Sequence, residues 1–228
     1  MFQKGLQVGF PIMLGYIPIA ITYGVLASQS GMSIFELTLM SVLVFAGASQ
    51  FMGANMIAVQ ASAVEIIVAT FILNFRHFVM SFSFMNEVRD HFNLKTRFFL
   101  SLGLTDETFA VSALNNEQIK HDKSALFYAA IILSAYTSWV FGSFFGGMLG
   151  EIIPEKLSQS MGIALYAMFI GLLIPSIKKE LKVGLIAIIA MLINGIASQF
   201  FSSGWSIVIG TIIGGLSGVY LLKEKEDK

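Results

Sequence analysis

The sequence predicts an all-α polytopic membrane protein with about six spanning helices and two broken or re-entrant segments. Three observations lead to this fold class. The first is composition: 56% of the 228 residues are hydrophobic and only 12% are charged, whereas a soluble globular domain carries about 25% charged residues. The other two are a series of long apolar runs and an uneven distribution of lysine and arginine. Together they predict a single integral membrane domain over residues 1–228.

Eight apolar runs, most of them close to the length of about 20 residues that a membrane helix needs, occupy almost the whole chain. They cover approximately residues 8–28, 36–60, 64–86, 98–114, 124–149, 158–175, 182–200 and 204–222. The first run is too long for a secretory signal and contains two prolines, so it is predicted to be the first transmembrane helix. A net charge of zero and the lack of cysteine give no reason to expect nucleic acid or thiol chemistry.

Two of the runs, 36–60 and 98–114, differ from ordinary membrane spans. The centre of the first reads "AGASQFMGAN", which places small and polar residues where a plain span would carry leucine. These residues are Gly47, Ser49, Gln50, Gly53 and Asn55. The second run is short and carries Asp106 and Glu107 near its middle. Both runs are therefore predicted to be irregular.

The basic residues provide a separate test of how the runs cross the membrane, because short cytoplasmic loops carry an excess of Lys and Arg. Eight straight crossings would place the basic loop after the third run outside. If the two irregular runs enter and return on the same side, twelve of the fourteen basic residues lie inside with both termini. The twelve are Lys4, Arg89, Lys95, Arg97, Lys120, Lys123, Lys178, Lys179, Lys182, Lys223, Lys225 and Lys228; Lys156 lies outside and Arg76 within the membrane. Eight full spans with one frustrated loop remain the alternative.

Broken backbone at membrane depth indicates a buried or water-filled site. Lipid cannot satisfy free N–H and C=O groups, so such backbone is tolerated only inside protein or beside a watery cavity. The stretches "GASQF" (47–51) and "GLTDETF" (103–109) are therefore predicted to face each other or a shared pocket. Half-helices that direct their N-termini toward bound anions are common in secondary transporters. The alternative for the glycines alone is a seam of small residues used only for packing.

The third run, "FILNFRHFVMSFSFMN" at its core, carries an arginine near the membrane midplane. Arg76 lies eleven residues from both Glu65 and Glu87, which corresponds to about 16 Å along a helix. A charge at this depth costs about 3 to 17 kcal/mol, depending on the method of measurement. An anionic partner for Arg76 is therefore expected.

Polar side chains form a stripe along the same helix at the spacing i, i+4, i+7, i+11. The stripe consists of Thr70, Asn74, His77 and Ser81, and an adjacent apolar row consists of Phe71, Phe75, Phe78 and Phe82. Arg76 and Ser83 point almost opposite to the stripe. This pattern predicts a helix at the centre of the bundle, either with polar contacts on two sides or with a local distortion near Asn74.

Arg76 and the two acidic residues of the fourth run allow two interpretations. One is a permanent interior ion pair with Asp106 or Glu107 that only stabilises the fold, because buried ion pairs need no substrate. The other is a site in which the charges exchange partners during transport. His77 is either an ordinary hydrogen-bonded interior histidine or, beside these carboxylates, a proton relay.

The motifs "GASQF", "NFRHFVMS" (74–81) and "GLTDETF", in this order, resemble those of the AzlC family of branched-chain amino acid permeases, and the similarity covers essentially the whole chain. The resemblance implies an inner-membrane exporter subunit of a bacterial cell. It also implies a small AzlD-type membrane subunit as partner, with valine, leucine, isoleucine or analogues such as azaleucine as substrates. Where the family motif commonly carries leucine, this chain has Phe75.

The chemistry of an amino acid can be matched to these residues. Arg76, or a half-helix N-terminus at "GASQF", is expected to hold the carboxylate. Asp106 and Glu107 are expected to hold the ammonium or a coupling proton. The predicted substrate-binding residues are Arg76, Asn74, Gly47, Ser49, Gln50 and Asp106, and the predicted proton-coupling residues are His77, Asp106 and Glu107. No cofactor or metal is expected, and the sequence has no phosphate-binding loop or hydrolase motif that would indicate an enzyme.

Two ladders of glycine, each with the GxxxG spacing, permit close helix contact. They are Gly142, Gly146 and Gly150, and Gly210, Gly214 and Gly218. Each is expected either to contact the AzlD-type subunit or a second copy, or to pack within the chain. The sequence also allows two other functions. The protein could be a membrane channel, or a structural subunit with no transport role of its own.

Overall fold

The computed structural model describes residues 1–121, 123–150, 152–154, 160, 163, 167, 170–171 and 173–222, and these residues form helices and connecting turns. The helices are α1 (Phe2–Gln29), α2 (Ile34–Leu43), α3 (Gly47–Ala58), α4 (Ala63–Glu87), α5 (Leu94–Leu102), α6 (Asp106–Leu114), a 3-10 helix (Asn116–Lys120), α7 (Ser124–Leu149), α8 (Leu181–Ala197) and α9 (Ser203–Leu222). Capping boxes begin α2, α4 and α6, at Ser33, Ser62 and Thr105. Each cap satisfies backbone N–H groups that the first helical turn leaves free.

Helices α1 and α7 pack along their whole length and run in the same direction. A Cβ added at Gly5 would lie 2.3 Å from the carbonyl oxygen of Phe127, and one at Gly24 would lie 2.2 Å from that of Ser143. Contact is therefore made near the start of both helices and again near the end of both. Glycines allow this approach because no side chain separates the two backbones. The α1–α7 pair forms the scaffold of the bundle.

Helices α2 and α3 form a re-entrant pair that starts at the end of the scaffold opposite the N-terminus. Leu37 lies against Gly147, near the end of α7, whereas the carbonyl of Val42 accepts a hydrogen bond from Tyr136, near its middle. After the break at residues 44–46, α3 turns back, and Phe51 packs against Tyr23 of α1. The chain thus returns to the side from which it came.

Helix α4 crosses back toward the N-terminal end, where the ring of Phe84 contacts Tyr128 in the first turns of α7. Helices α5 and α6 then form a second re-entrant pair from that end. Ser81 of α4 donates to the carbonyl of Ser101 as α5 rises beside it. Helix α6 descends again, and the carbonyl of Asn115 after it accepts from the Tyr128 hydroxyl.

The two units, α1 with α2–α3 and α4 with α5–α6, therefore have inverted orientations. Each consists of a long helix followed by two half-helices that enter the bundle and return. The breaks lie at residues 44–46 and 103–105. The prediction that segments 36–60 and 98–114 are broken and re-entrant is confirmed, and the alternative of eight straight spans is wrong. Each of these segments turns back at mid-depth.

The last two described helices form a hairpin beside α4. A Cβ at Gly204 would lie 3.0 Å from the Cβ of Glu65, so α9 starts near the beginning of α4. Lys182 donates to the carbonyl of Leu221, so α8 starts where α9 ends. The described C-terminal end and the N-terminus consequently lie toward the same end of the bundle.

Basic residues concentrate at that same end. Nine of the ten described lysines and arginines lie toward it, and the tenth is Arg76 at mid-depth. The nine are Lys4, Arg89, Lys95, Arg97, Lys120, Lys123, Lys178, Lys179 and Lys182. The positive-inside rule predicts that this end is the cytoplasmic one.

Four helices in the described part of the chain are long and apolar enough to cross a membrane: α1, α4, α7 and residues Gly204–Leu221 of α9. The predicted span at 182–200 is the shorter apolar helix α8 of 17 residues. The predicted span at 158–175 lies mostly outside the described residues. The architecture is that of an all-α polytopic membrane protein.

Two predictions about packing need correction or completion. Helix α4 does not lie at the centre of the bundle: one face packs on its neighbours, whereas Phe71 and Phe75 on the other face are exposed. The continuous helix makes polar contacts on two sides without a distortion near Asn74.

Both glycine ladders pack inside the chain. A Cβ at Gly146 would lie 2.2 Å from the carbonyl oxygen of Ile21, and one at Gly214 would lie 2.5 Å from the Cβ of Ala190. Contact of either ladder with another subunit stays a prediction.

Candidate functional site

The N-termini of the half-helices α3 and α6 meet at mid-depth around a small cavity, here called the inner cavity. Its volume is about 30 Å³, which is room for one or two water molecules. Its lining residues are Tyr16, Phe45, Gly47, Ala48, Arg76, His77, Thr105, Asp106, Glu107 and Trp139. The predicted meeting of "GASQF" with "GLTDETF" is confirmed, because both stretches contribute to this lining.

Arg76 and Asp106 form an ion pair across the inner cavity. The distance from Arg76 Nη1 to Asp106 Oδ2 is 2.7 Å, and about a third of each side chain is exposed. Asp106 is the first residue of α6, where the helix dipole favours negative charge. The pairing partner expected from the depth of Arg76 is therefore Asp106.

Glu107 supplies a second negative charge without a cation of its own among the described residues. The hydroxyl of Tyr16 on α1 donates to Glu107 Oε2 at 2.5 Å and lies 2.6 Å from Thr105 Oγ1. These contacts join α1 to the beginning of α6. With both carboxylates ionised, one arginine faces two acids and the inner cavity carries a net negative charge. One more cation or one proton would neutralise it.

Positive character comes from Arg76 and from the start of α3. No side chain caps α3, whose N-cap residue is Ala46, and the first residues of α3 line the inner cavity. Uncapped N–H groups and the helix dipole attract anions. The site thus combines groups for an anion with groups for a cation within one small space.

Two buried polar atoms beside the inner cavity, Arg76 Nε and His77 Nδ1, have no hydrogen-bond partner among the described residues. Buried polar groups are nearly always satisfied in native proteins, and exceptions call for an explanation such as a water or a ligand. Both atoms belong to residues predicted from sequence to be functional.

Asn74 and Ser49 connect the polar stripe of α4 to α3. The hydroxyl of Ser49 donates to Asn74 Oδ1 at 2.5 Å. Ser49 is fully buried and lines neither of the cavities near the two breaks, whereas Asn74 reaches a second cavity described below. The structure therefore places Ser49 as a support for Asn74.

Gln50 belongs to a closed circuit of hydrogen bonds behind the inner cavity. Trp139 Nε1 donates to Gln50 Oε1 at 2.6 Å, and Gln50 Nε2 donates to Ser41 Oγ at 2.8 Å. Ser41 Oγ donates to Ser143 Oγ, which donates to the carbonyl of Trp139, both at 2.8 Å. Both polar ends of the buried Gln50 side chain are thus bonded to protein, and the circuit ties α2 and α3 to α7.

Replacing Gln50 by alanine is expected to destabilise the protein by about 1–3 kcal/mol, because the buried indole N–H of Trp139 loses its acceptor. The thermal unfolding midpoint of the detergent-solubilised protein measures this change. Gln60→Ala is the matched control, since Gln60 is exposed and bonds only within its own turn. Equal unfolding midpoints for the two variants would contradict the structural role of Gln50.

The structure brings most of the predicted site residues together. The inner cavity contains Arg76, His77, Asp106, Glu107 and Gly47, with Asn74 in the neighbouring cavity. Sequence reasoning did not identify Tyr16, Phe45, Thr105 or Trp139. For Thr105 the capping pattern before Asp106 was an available signal, whereas aromatic residues in apolar runs carry none. Phe75, noted for its departure from the family motif, lies on the exposed face of α4 and packs against Phe78.

Comparison with known proteins shows one family. Residues 11–153 match the family model described as AzlC protein. This match covers more than half of the chain, including most of α1, all of α2 to α7 and all residues of the inner cavity. No solved structure matches the chain.

Several membrane proteins are similar to the chain over most of its length. An "uncharacterized membrane protein" of Archaeoglobus fulgidus is 36% identical over 180 residues, which are 78% of this chain and 77% of that protein. Inner membrane protein YgaZ of Escherichia coli is 26% identical over 222 residues (96% and 89%). Branched-chain amino acid transport protein AzlC of Bacillus subtilis is 25% identical over 216 residues (92% and 84%).

Proposed function

This chain belongs to the AzlC family of multi-pass membrane proteins, and we propose that it is a transporter subunit that exports branched-chain amino acids through the inner cavity. The family is a transport-related membrane family, not an enzyme family. The substrate class in this proposal follows the name of the Bacillus subtilis relative. Export, proton coupling and an AzlD-type partner subunit are parts of the same proposal.

The observation that supports transport most directly is the arrangement of charge in the inner cavity. Arg76 and the uncapped start of α3 offer binding groups for a carboxylate, and Glu107 offers one for an ammonium. An α-amino acid carries both groups on the same carbon, so one molecule would satisfy both halves of the site. A guanidinium suits a carboxylate because it can donate two parallel hydrogen bonds.

Proton coupling would use the same residues. Glu107 has no cation partner among the described residues, and His77 Nδ1 has no hydrogen-bond partner among them. A proton on Glu107 and an ammonium beside it would compete for the same charge. Arrival of one would therefore favour release of the other, which is the requirement for exchange of a proton against a substrate.

Efflux from vesicles tests the proposal. The chain is reconstituted with its AzlD-type subunit in vesicles loaded with labelled valine, with the chain alone and the partner alone as controls. Saturable efflux that increases with an inward proton gradient is expected only when both subunits are present. Flux that does not saturate would indicate a channel. Lack of flux with both subunits present would indicate a structural subunit.

A further inference from the structure

A second cavity lies directly beside the inner cavity and is here called the outer cavity. Its volume is about 440 Å³, and it extends between α4 and α5 toward the N-terminal end of the bundle. Most of its lining is apolar and includes Phe78, Phe82, Met85 and Leu104, and the cavity is open on one side, since Phe78 and Phe82 are more than half exposed. Its polar lining comes from α4, at Asn74, His77 and Ser81, and from Ser101 of α5.

Among the residues that the structure describes, only Phe45 and His77 line both cavities. Phe45 lies in the break between α2 and α3, where the flanking residues Val44 and Ala46 have non-helical backbone angles (φ −122°, ψ 80° and φ −148°, ψ 83°). Its ring packs edge-on against Tyr16, with 6.3 Å between centroids. Phe45 and His77 therefore form the wall between the two cavities, and of these two residues only Phe45 lies outside a helix, in the break between α2 and α3.

The two cavities complement each other in size and chemistry. The inner cavity holds the charges but only about 30 Å³ of space. The outer cavity has about 440 Å³, within the range of about 300–1,000 Å³ that is usual for small-molecule sites. Neither cavity alone suits an amino acid with an apolar side chain, because one lacks volume and the other lacks charged groups.

Building on the proposed function, we infer that the two cavities are halves of one binding site, with Phe45 as the movable partition between them. The charged head group of the substrate lies in the inner cavity and its aliphatic side chain lies in the outer cavity. Phe45 must turn aside for the two to join. The outer cavity then selects substrates by the size of their side chain, and it is also the path to the inner cavity from the N-terminal end.

The partition can be tested without any transport measurement, because the chain contains no cysteine. Ala48 is buried and lines the inner cavity, so Ala48→Cys introduces a single thiol there. A small cationic methanethiosulfonate reagent added from the N-terminal side is expected to modify this thiol several-fold faster when Phe45→Ala is also present. The matched control is Phe99→Ala, which removes an exposed ring of α5 that lines neither cavity. Equal rates in all three proteins would overturn the role of Phe45.

The size selection is tested by filling the outer cavity. Ser81→Met places a longer side chain there, and Thr70→Met is the control on the same stripe of α4, outside both cavities. Each change removes one hydroxyl that donates to a backbone carbonyl. Competition of unlabelled leucine against labelled valine efflux is expected to weaken about tenfold in Ser81→Met, as for one or two methylene groups in a hydrophobic pocket. Competition by alanine should change little.

The two measurements separate the inference from the proposed function. Equal loss of competition by leucine and alanine in Ser81→Met, or no loss for either, would show that the outer cavity is a surface groove for lipid and not a substrate subsite. Wild-type protein that moves no amino acid would contradict the proposed function. In that case faster labelling in the Phe45→Ala background would still support the partition.

Discussion

Asp106→Asn is expected to abolish transport, with a loss of about a hundredfold or more. The substitution leaves Arg76 positively charged at mid-depth without its partner at 2.7 Å, and an unpaired charge at that depth of a membrane costs about 3 kcal/mol or more. It also takes away one of the two carboxylates at the start of α6. Valine efflux from reconstituted vesicles measures the loss, and the amount of folded protein in detergent measures any accompanying instability.

The double variant Arg76→Gln with Asp106→Asn distinguishes the two interpretations of the ion pair. Removing both charges eliminates the unpaired arginine, so the yield of folded protein is expected to recover. Transport is expected to stay lost, because no guanidinium remains to bind a carboxylate. Glu87→Gln is the control, since it neutralises an exposed carboxylate at the end of the same helix. Recovery of both folding and transport in the double variant would assign the pair a purely structural role.

Gly146→Ala is expected to destabilise the protein strongly, by about 1–3 kcal/mol, as is usual for overpacking in a close-packed core. The added methyl group would lie 2.2 Å from the carbonyl oxygen of Ile21. That atom belongs to the backbone of α1, so the clash is relieved only if the two scaffold helices separate. The thermal unfolding midpoint of the purified protein should fall, and efflux should fall with it.

Gly15→Ala is the matched control on α1. A Cβ at Gly15 meets nothing within 4 Å, and alanine favours the helix by about 1 kcal/mol over glycine. This variant is expected to be as stable as the original or slightly more stable. If the two alanine variants unfold at the same temperature, close contact between α1 and α7 does not limit stability.

The broken segments were predictable because two independent signals coincide on them. Polar and small residues interrupt the apolar runs at Gln50 and Asp106. The basic loops lie on the cytoplasmic side, as the positive-inside rule requires, only if both runs turn back within the membrane. Both signals are local or depend on simple counting, so they need no knowledge of the fold. The ion pair was predictable in kind, since a charge at mid-depth requires a partner, but the choice of Asp106 over Glu107 was not.

The role of Gln50 was not predictable. From the sequence, it is a polar residue in the same irregular stretch as Gly47, and nothing separates a ligand-binding amide from a structural one. In the structure its amide is used by Trp139 and Ser41, which are 89 residues after it and 9 before it. Contacts at such separations depend on how the helices pack.

Composition, apolar runs and charge placement were sufficient for the membrane class, the two breaks and the set of charged residues at the site. These properties depend on transfer of each segment between water and lipid, which is nearly additive along the chain. Only the packed structure places Tyr16, Phe45 and Trp139 around the inner cavity and places the outer cavity beside it. Aromatic rings are removed from water both in lipid and in the protein interior, so hydropathy does not distinguish the two environments. The positions of these rings therefore depend on which helices meet.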